Sequence, residues 1–536
     1  MKAADRRSGQ VAVGRIAVLL LTAASPVRLT AQSLWRPEER VLLSDFSRVN
    51  AIAASPALVF AATTHGLTIY DRVARAWRPP VTSLDGYPLA PVRVALADPV
   101  GDAVWLGTDQ GWAHYDVELR QWESGPAAGG VTGLVIDARD PAGGVFLEGA
   151  RGWAFLPRGA FTPIAGQPLP PPARRIAPLS PQAALNATPA ADAFRALFLM
   201  DPRLRAYAFT CAARTPDRGD VFFGTNGMGI VRIDAATGQW EPLRFGLLAA
   251  AAGSLARGDD GVWVATLAQV GERSGLARVS SALTTDSVLE SSGASGFVCR
   301  AGRRLVASGS FLWVACERGL LRIAGDGRSR VFDIGRGLPS DDVLALAPAP
   351  DGAWVGTRLG LARVTDADRA EPVGDIGRPV LSLLVTGDSL WVGTVDGLAL
   401  LLPGADELGV PEDVAREPWL HTPILAIGCV GDRLVVATPD QLAWRNPQSG
   451  DWSLTHARSD LGPISSIAPD PDGAGVWLGG PGGLAFWDLV RGTLRVLYAP
   501  NDVPAAVRDL VADQDYLWVA TDSGVVRFDR RTARGG

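Results

Sequence analysis

The sequence predicts an all-β fold, a β-propeller built from about eleven four-stranded blades. Three observations carry that expectation. First, one phrase recurs: an apolar strand ending in Trp-Val-Gly-Thr or a relative, two or three variable residues, Gly, and a second apolar strand. Its copies begin at Phe60, Trp105, Phe146, Phe222, Trp263, Trp313, Trp354, Trp391, Val435, Trp477 and Trp518. Second, the copies lie 37–50 residues apart, except for one gap of 76. That is the period of a four-stranded blade, and a 3.6-residue helical period is absent. Third, the 536 residues include 61 Gly and 39 Pro with no collagen-like period, which is turn chemistry, while 47% apolar residues supply ample core.

Residues 1–31 read as a secretory signal peptide. Lys2, Arg6, Arg7 and Arg15 precede "IAVLLLTAA", and Ala31 stands at a plausible cleavage point. The apolar run is too short to span a bilayer. Removing five cationic residues and one anionic residue moves the net charge from −5 to −9 and takes away Lys2, the only lysine. Lysine-based covalent chemistry is thereby excluded, and an acidic surface disfavours nucleic acid or anionic lipid as partners.

Within a repeat the strands can be named. Around Trp354, "DDVLALAPA" is the inner strand A, "AWVGT" is strand B, "RLG" turns, and "LARV" is strand C. The recurring Gly suits a turn at positive φ. Strand D bears a Trp six residues after an Asp or Asn, as in "DRVARAW", "DVELRQW", "DAATGQW" and "NPQSGDW". Asp or Asn there accepts backbone N–H groups in the C–D turn. Tryptophans in such repeated slots are inter-blade packing, not ligand platforms.

Blades 1–3 occupy 32–156 and blades 4–11 occupy 216–536. The interval 157–215 is read as an insertion, Pro-rich and then briefly helical, with Thr188 as cap and Pro189 at the first helical position. Eleven modules exceed the four to eight blades of an ordinary ring, so two propellers are predicted, with one large ring as the alternative. The last copy stops before any strand-D Trp. The chain's beginning supplies one, since "WRP" at Trp35 repeats "WRP" at Trp77. Residues 33–43 are therefore predicted to pair beside 524–529 as the outer strand of blade 11, covering both edges. With two propellers, one is then assembled from both chain ends and the other lies inserted between.

The unit "GLPSDDVLALAPAPDGAWVGTRLGLARV" (337–364) resembles the two-component regulator propeller repeat, with its Gly-Leu-Pro opening, Trp-x-Gly-Thr strand and Gly-Leu turn. The resemblance is close at 337–364 and 388–400 and loose over most of 32–536. It implies an exported propeller of bacterial sensor type, here without the kinase portion.

Catalytic constellations are thin. His65, His114, His421 and His456 form no i,i+4 pair and no HExxH, and are read as surface residues. "DAATGQW" (234–240) resembles a quinoprotein docking phrase but repeats the C–D turn spacing of other blades. "RGDDG" (257–261) and "DPDG" (470–473) hint at Ca²⁺ but lack the remaining loop ligands and are read as A–B turns. Cys211, Cys299, Cys316 and Cys429 allow three pairings; Cys299 and Cys316 flank one hairpin, but buried thiols are favoured.

No catalytic residue, metal or cofactor is assigned. Ligand candidates sit on the loop face shared by D–A and B–C connections: Asn226, Arg318, Asp341, Asp342, Arg358 and Asp396. The expected function is that of an exported, non-enzymatic ligand- or protein-binding sensory or accessory module. Its expected partner is an envelope protein or a glycan, its location periplasmic or extracellular. The alternatives are a polysaccharide lyase or hydrolase, and a structural envelope scaffold.

Overall fold

A computed structural model describes residues 35–535, apart from 37, 195, 269–272, 292–298, 300, 366–368, 375–376 and 456–457. The predicted signal peptide and His456 lie outside the described residues. Among those described, no helix is long and apolar enough to cross a membrane.

Among the described residues eleven antiparallel sheets follow one another along the chain, and the fold is all-β. Most have four strands. Strands B and C are buried on both sheet faces, as in Tyr516–Thr521 and Gly524–Asp529 of blade 11. Each sheet is packed between neighbours, which is why these segments read as continuous apolar runs rather than as alternating patterns. At the C–D corner, Asp71 accepts the N–H groups of Val73 and Ala74, Asp234 those of Ala236 and Thr237, and Asn446 that of Gln448. The phrase at 234–240 is thus a C–D turn.

The innermost strands fall into two series of neighbours. Strands A of blades 5 to 11 lie against one another in chain order, and strand A of blade 11 (Val507–Ala512) also lies against that of blade 5 (Ala252–Arg257). Asp509 sits at this meeting. Its carboxylate accepts from Ser466 of blade 10 (3.0 Å) and from Ser254 and the Leu255 N–H of blade 5 (3.0 Å for the amide). In the second series strand A of blade 1 lies between those of blades 4 and 2, and blade 3 follows blade 2. Between blades 3 and 4 runs a connecting segment. Its Arg175–Ile176 pairs with strand A of blade 3, and its Leu179 bridges to Ala212 in blade 4.

A short helix follows that segment at Pro181–Asn186, capped by Ser180, whose Oγ accepts the Ala183 N–H. The predicted helical start at Thr188–Pro189 gives only a 3-10 turn, Pro189–Phe194. Two Ser/Thr-Pro starts stand eight residues apart, and the earlier one nucleates the α-helix.

The chain passes between the two series twice, at 44–48 and at 244–251. These passages run side by side: Leu247 donates to the Ser44 carbonyl (2.9 Å), and Asp45 bridges to Gly246. The Phe46 and Phe245 rings stack at 5.6 Å, and Trp77 of blade 1 stacks on Phe245 at 4.8 Å.

Blade 11 is completed from the other end of the chain. Arg40–Leu43 pairs antiparallel with Phe528–Val525, as strand D. Val41 and Leu43 join a core with Leu255, Val262 and Val264 of blade 5, and Leu42 one with Trp477, Leu484 and Phe486 of blade 10. Three apolar residues at successive positions thus serve two different cores, because side chains alternate across a strand. Trp35 sets its ring edge-on to Phe528 at 5.3 Å and donates to Asp502 (3.2 Å).

On the face opposite the B–C loops, arginines placed just after strand C fasten one blade to the blade before it. Arg72 reaches Asp217 and Asp220, Arg158 reaches Asp98, and Arg530 reaches Asp470 and Asp472. The acidic "DPDG" turn at 470–473 is therefore an A–B turn that receives Arg530 and Arg534. Its Asp470 also accepts the Trp477 indole N–H (3.2 Å), just as Asp98 accepts that of Trp105 (3.1 Å).

One expectation about histidine is corrected here. His114 is buried, with its ring centroid 4.1 Å from that of Trp105 and Nε2 3.1 Å from Asp98. Burial alone would raise the Asp98 carboxyl, but hydrogen bonds from His114 and Arg158 hold it well below the usual carboxylate range. The preference for four thiols is corrected too. Cys299 and Cys316 form a disulfide across the hairpin they flank, with Cα atoms 5.3 Å apart. Cys211 and Cys429 are free, and burial pushes the Cys211 thiol up to about 12.

Candidate functional site

Most B–C loops of the repeats are built by one device; blades 3, 6 and 10 end strand B in Gly149, Cys316 and Gly480 instead. Where a Thr ends strand B it is buried and closes the turn by itself. In blade 1, Thr63 Oγ1 donates to the Gly66 carbonyl (2.7 Å) and accepts the Gly66 N–H (3.1 Å). Thr108, Thr357, Thr394 and Thr521 repeat the bond to a glycine carbonyl. That glycine cannot be replaced cheaply. At Gly397 φ is 135°, and a Cβ would stand 2.4 Å from the Leu420 carbonyl oxygen.

A second device ties the loop to the start of strand A through an Arg–Asp pair. Arg93 and Asp109 make it in blade 2 through two bonds, 2.6 and 2.7 Å. Arg508 and Asp522 make it in blade 11, and Arg378 and Asp396 in blade 8 at 2.8 Å. Blade 7 carries the same pair with the partners exchanged: Asp342 precedes strand A and Arg358 lies in the loop, 2.6 Å apart. Such exposed pairs are each worth ~0–1 kcal/mol, enough to set a loop's direction.

The predicted ligand residues can now be placed. Asp342 is held between Arg358 and Arg303 (2.7 Å). Asp341 accepts the Ile334 N–H at its carboxylate (2.7 Å), and its carbonyl accepts the Gly319 N–H (2.8 Å), beside exposed Arg318. Arg318, Asp341, Asp342 and Arg358 are therefore gathered along blades 6 and 7. Asn226 is not with them. It belongs to blade 4 in the other series, where its backbone bridges to Arg48 in the first passage between series.

Asp396 lies in blade 8, and here the repeat changes. Strands Val380–Thr386, Ser389–Thr394 and Gly397–Leu401 are present, but no regular strand D follows. Gly409 alone bridges to Leu400, and the chain then forms a helical turn, Glu412–Ala415, and a 3-10 turn, Pro418–His421. Leu420 and Val414 pack with Trp391 and Leu398, replacing the missing strand's apolar contribution. Between strand C and this replacement lies a cavity of about 130 Å³. Leu398, Leu408, Val410 and Leu420 form its apolar wall, and Arg378, Asp396 and His421 its polar rim. Val410 is exposed at 58%, a high value for a valine beside a recess.

Sequence reasoning found Asp396 but missed Arg378, His421 and the apolar wall. The available signal was in strand D. After Trp391 the next tryptophan stands in "REPWLHTP", where Pro411 and Pro418 interrupt any strand.

No family model matches the chain, and no curated protein matches it. Among solved structures it is similar to the extracellular domain of a protein described as a hybrid two-component system from B. thetaiotaomicron. Identity there is 14% over 90% of this chain and 69% of that one, with a TM-score of 0.43. It is also similar to a catalytically inactive virginiamycin B lyase from Staphylococcus aureus with quinupristin, at 13% identity over 52% of this chain and 94% of that one, TM-score 0.41. At this level, similarity carries no argument about ligand or activity.

Proposed function

We propose that the chain is an exported, non-enzymatic propeller that binds a ligand or partner as a sensory or accessory module, and that the cavity of blade 8 is its binding site. The observation that supports this is the recess itself, about 130 Å³ with an apolar wall and the Arg378, Asp396 and His421 rim, opened where the repeat drops its fourth strand. An apolar hollow with a few convergent polar groups is the usual form of a binding site. Export is supported by the signal pattern of residues 1–31 and by the Cys299–Cys316 disulfide, which persists in oxidising compartments. The partner is an envelope protein or a glycan. The two neighbour series are read as two propellers, seven blades assembled from both chain ends and four inserted between.

The test is thermal unfolding of the full chain against panels of oligosaccharides and synthetic peptides, with Val410→Trp to fill the cavity. A ligand that binds only the folded state raises the midpoint. The expected result is a ligand that stabilises the native chain and not the filled variant. Equal stabilisation of both, or of neither, refutes the site. Turnover of an oligosaccharide that His421→Ala abolishes would replace binding with catalysis.

A further inference from the structure

We propose that a second copy of this chain docks on the free edge of the Phe198–Met200 strand, through the same strand run antiparallel about a two-fold axis at Leu199. The surface lies in the segment that leads into blade 4 and does not depend on the blade 8 recess. Phe198–Met200 is a fifth strand of that sheet. It pairs with the first residues of strand A of blade 4 (Ala206–Arg214): Phe198 opposite Ala208, Leu199 opposite Tyr207 and Met200 opposite Ala206.

The ladder fixes where each backbone group points. The Phe209 N–H donates to the Leu197 carbonyl (2.9 Å) and the Asp201 N–H to the Arg205 carbonyl (3.1 Å), so positions 197, 199 and 201 are the bonded ones. Bonded and unbonded pairs alternate in an antiparallel ladder, so the N–H and C=O of Phe198 and Met200 point away from strand A. Ala208, opposite Phe198, shows the same phase from the other side: its carbonyl turns away and accepts the Asn226 N–H (3.1 Å). Among the described residues, no backbone group outside this ladder bonds to Phe198 or Met200.

The side chains match an open edge. Leu199 is buried in the core of blade 4, while Phe198 and Met200 are 40% and 51% exposed. Exposed Ala206 and Ala208 lie opposite them, so one face of the hairpin is an uncharged apolar strip. A charge, a proline or a bulge normally protects such an edge, and none stands at 198–200.

The occupant follows from the spacing. Two outward-facing residues flank one inward-facing residue. Reversed about Leu199, the strand sets Phe198 against Met200 of the second copy and Met200 against its Phe198, so that each outward N–H meets a C=O. The same register lays each Phe198 ring beside a Met200 thioether, a favourable contact. Charge at the hairpin tip does not oppose the approach, because Arg205 is held by Asp201 (2.6 Å) and by Glu290 of blade 5.

The experiment is sedimentation of the full chain over roughly 1–300 µM, with hydrogen exchange at both ends of that range. The contact is smaller than a standard interface, so a dimer with a Kd on the order of 100 µM is expected. The Phe198 and Met200 amides should gain protection as concentration rises. Met200→Pro removes an outward N–H and no bond of the fold, at a place where an edge strand tolerates proline. It should weaken the dimer about tenfold or more. Phe198→Asp, at an exposed position, is the second variant and should do the same. A chain that stays monomeric throughout overturns the proposal, as does a dimer that neither variant weakens. A monomer that instead binds apolar hexapeptides, and loses them with Met200→Pro, replaces the second copy by a foreign strand and overturns it too.

Discussion

The outer strand of blade 11 offers a direct test of how the chain's ends depend on one another. Replacing Leu42 and Leu43 by Ala removes one apolar side chain from each of two cores, since Leu42 packs toward blade 10 and Leu43 toward blade 5. Both are buried, at 3% and 1% exposure. A buried Leu→Ala change costs about 2–5 kcal/mol. The two faces share no partner, so the costs should add to about 4–10 kcal/mol. What then holds the strand is a four-residue ladder, the Val41 contact, the Arg40 bonds to the Leu84 and Asn501 carbonyls and the Trp35 contacts with Phe528 and Asp502. The double variant should loosen this strand more than any other element. Hydrogen exchange is the assay. Amides of Val525–Phe528 should lose protection first, while those of blade 7, across the same series, keep it. Each single variant should lie between. Unchanged protection at 525–528, with an unchanged denaturant midpoint, would refute the reasoning.

Three further outcomes are expected. Arg530→Met strips a 1% exposed side chain from Asp470, Asp472 and the Gln514 carbonyl, and should cost about 3–5 kcal/mol in urea unfolding, reduced when Asp470→Asn is also present. Asp98 has a carboxyl held below its unfolded value, so its contribution is present above about pH 4 and lost as pH falls further. Asp98→Asn should flatten that acid limb of a urea-midpoint profile, and a parallel profile would count against the His114–Asp98–Arg158 contacts. Replacing residues 45–245 by two glycines should leave a cooperatively unfolding seven-blade chain with a paired Arg40–Leu43 strand. A single eleven-blade ring would instead collapse.

Much of this fold is readable from local pattern. The Trp-x-Gly-Thr phrase marks strands B and C because both faces of each are buried, and the turn glycine marks a φ that only glycine tolerates. The clasp, the pairing of Arg40–Leu43 with Val525–Phe528, was legible through a repeated "WRP" and a missing strand D. The grouping of blades was not, because the contacts of blade 4 with blade 1 and of blade 11 with blade 5 join residues far apart in the chain. The site was half legible. Asp396 stood in the expected loop, but the Arg–Asp pairing that engages Asp342, Arg358 and Asp396 appears only when strand A and the loop are folded together. Its trace in sequence is only a range, since the four pairs stand 14–18 residues apart. The cavity escaped notice because a repeat search scores what is present, and blade 8 is defined by a strand that Pro411 ends.

The clasp strand also imposes an order in time. Arg40 leaves the ribosome 488 residues before its partner Phe528. At about 5–20 residues per second that is roughly 25–100 s of synthesis. Throughout that interval Val41, Leu42 and Leu43 have no strand to join, and blades 5 and 10, once made, each hold an unfilled core position. A chain interrupted between blade 10 and residue 525 would keep three apolar residues waiting at one end and two open cores at the other. Completion of synthesis is thus built into the fold as a condition of hiding its own first strand.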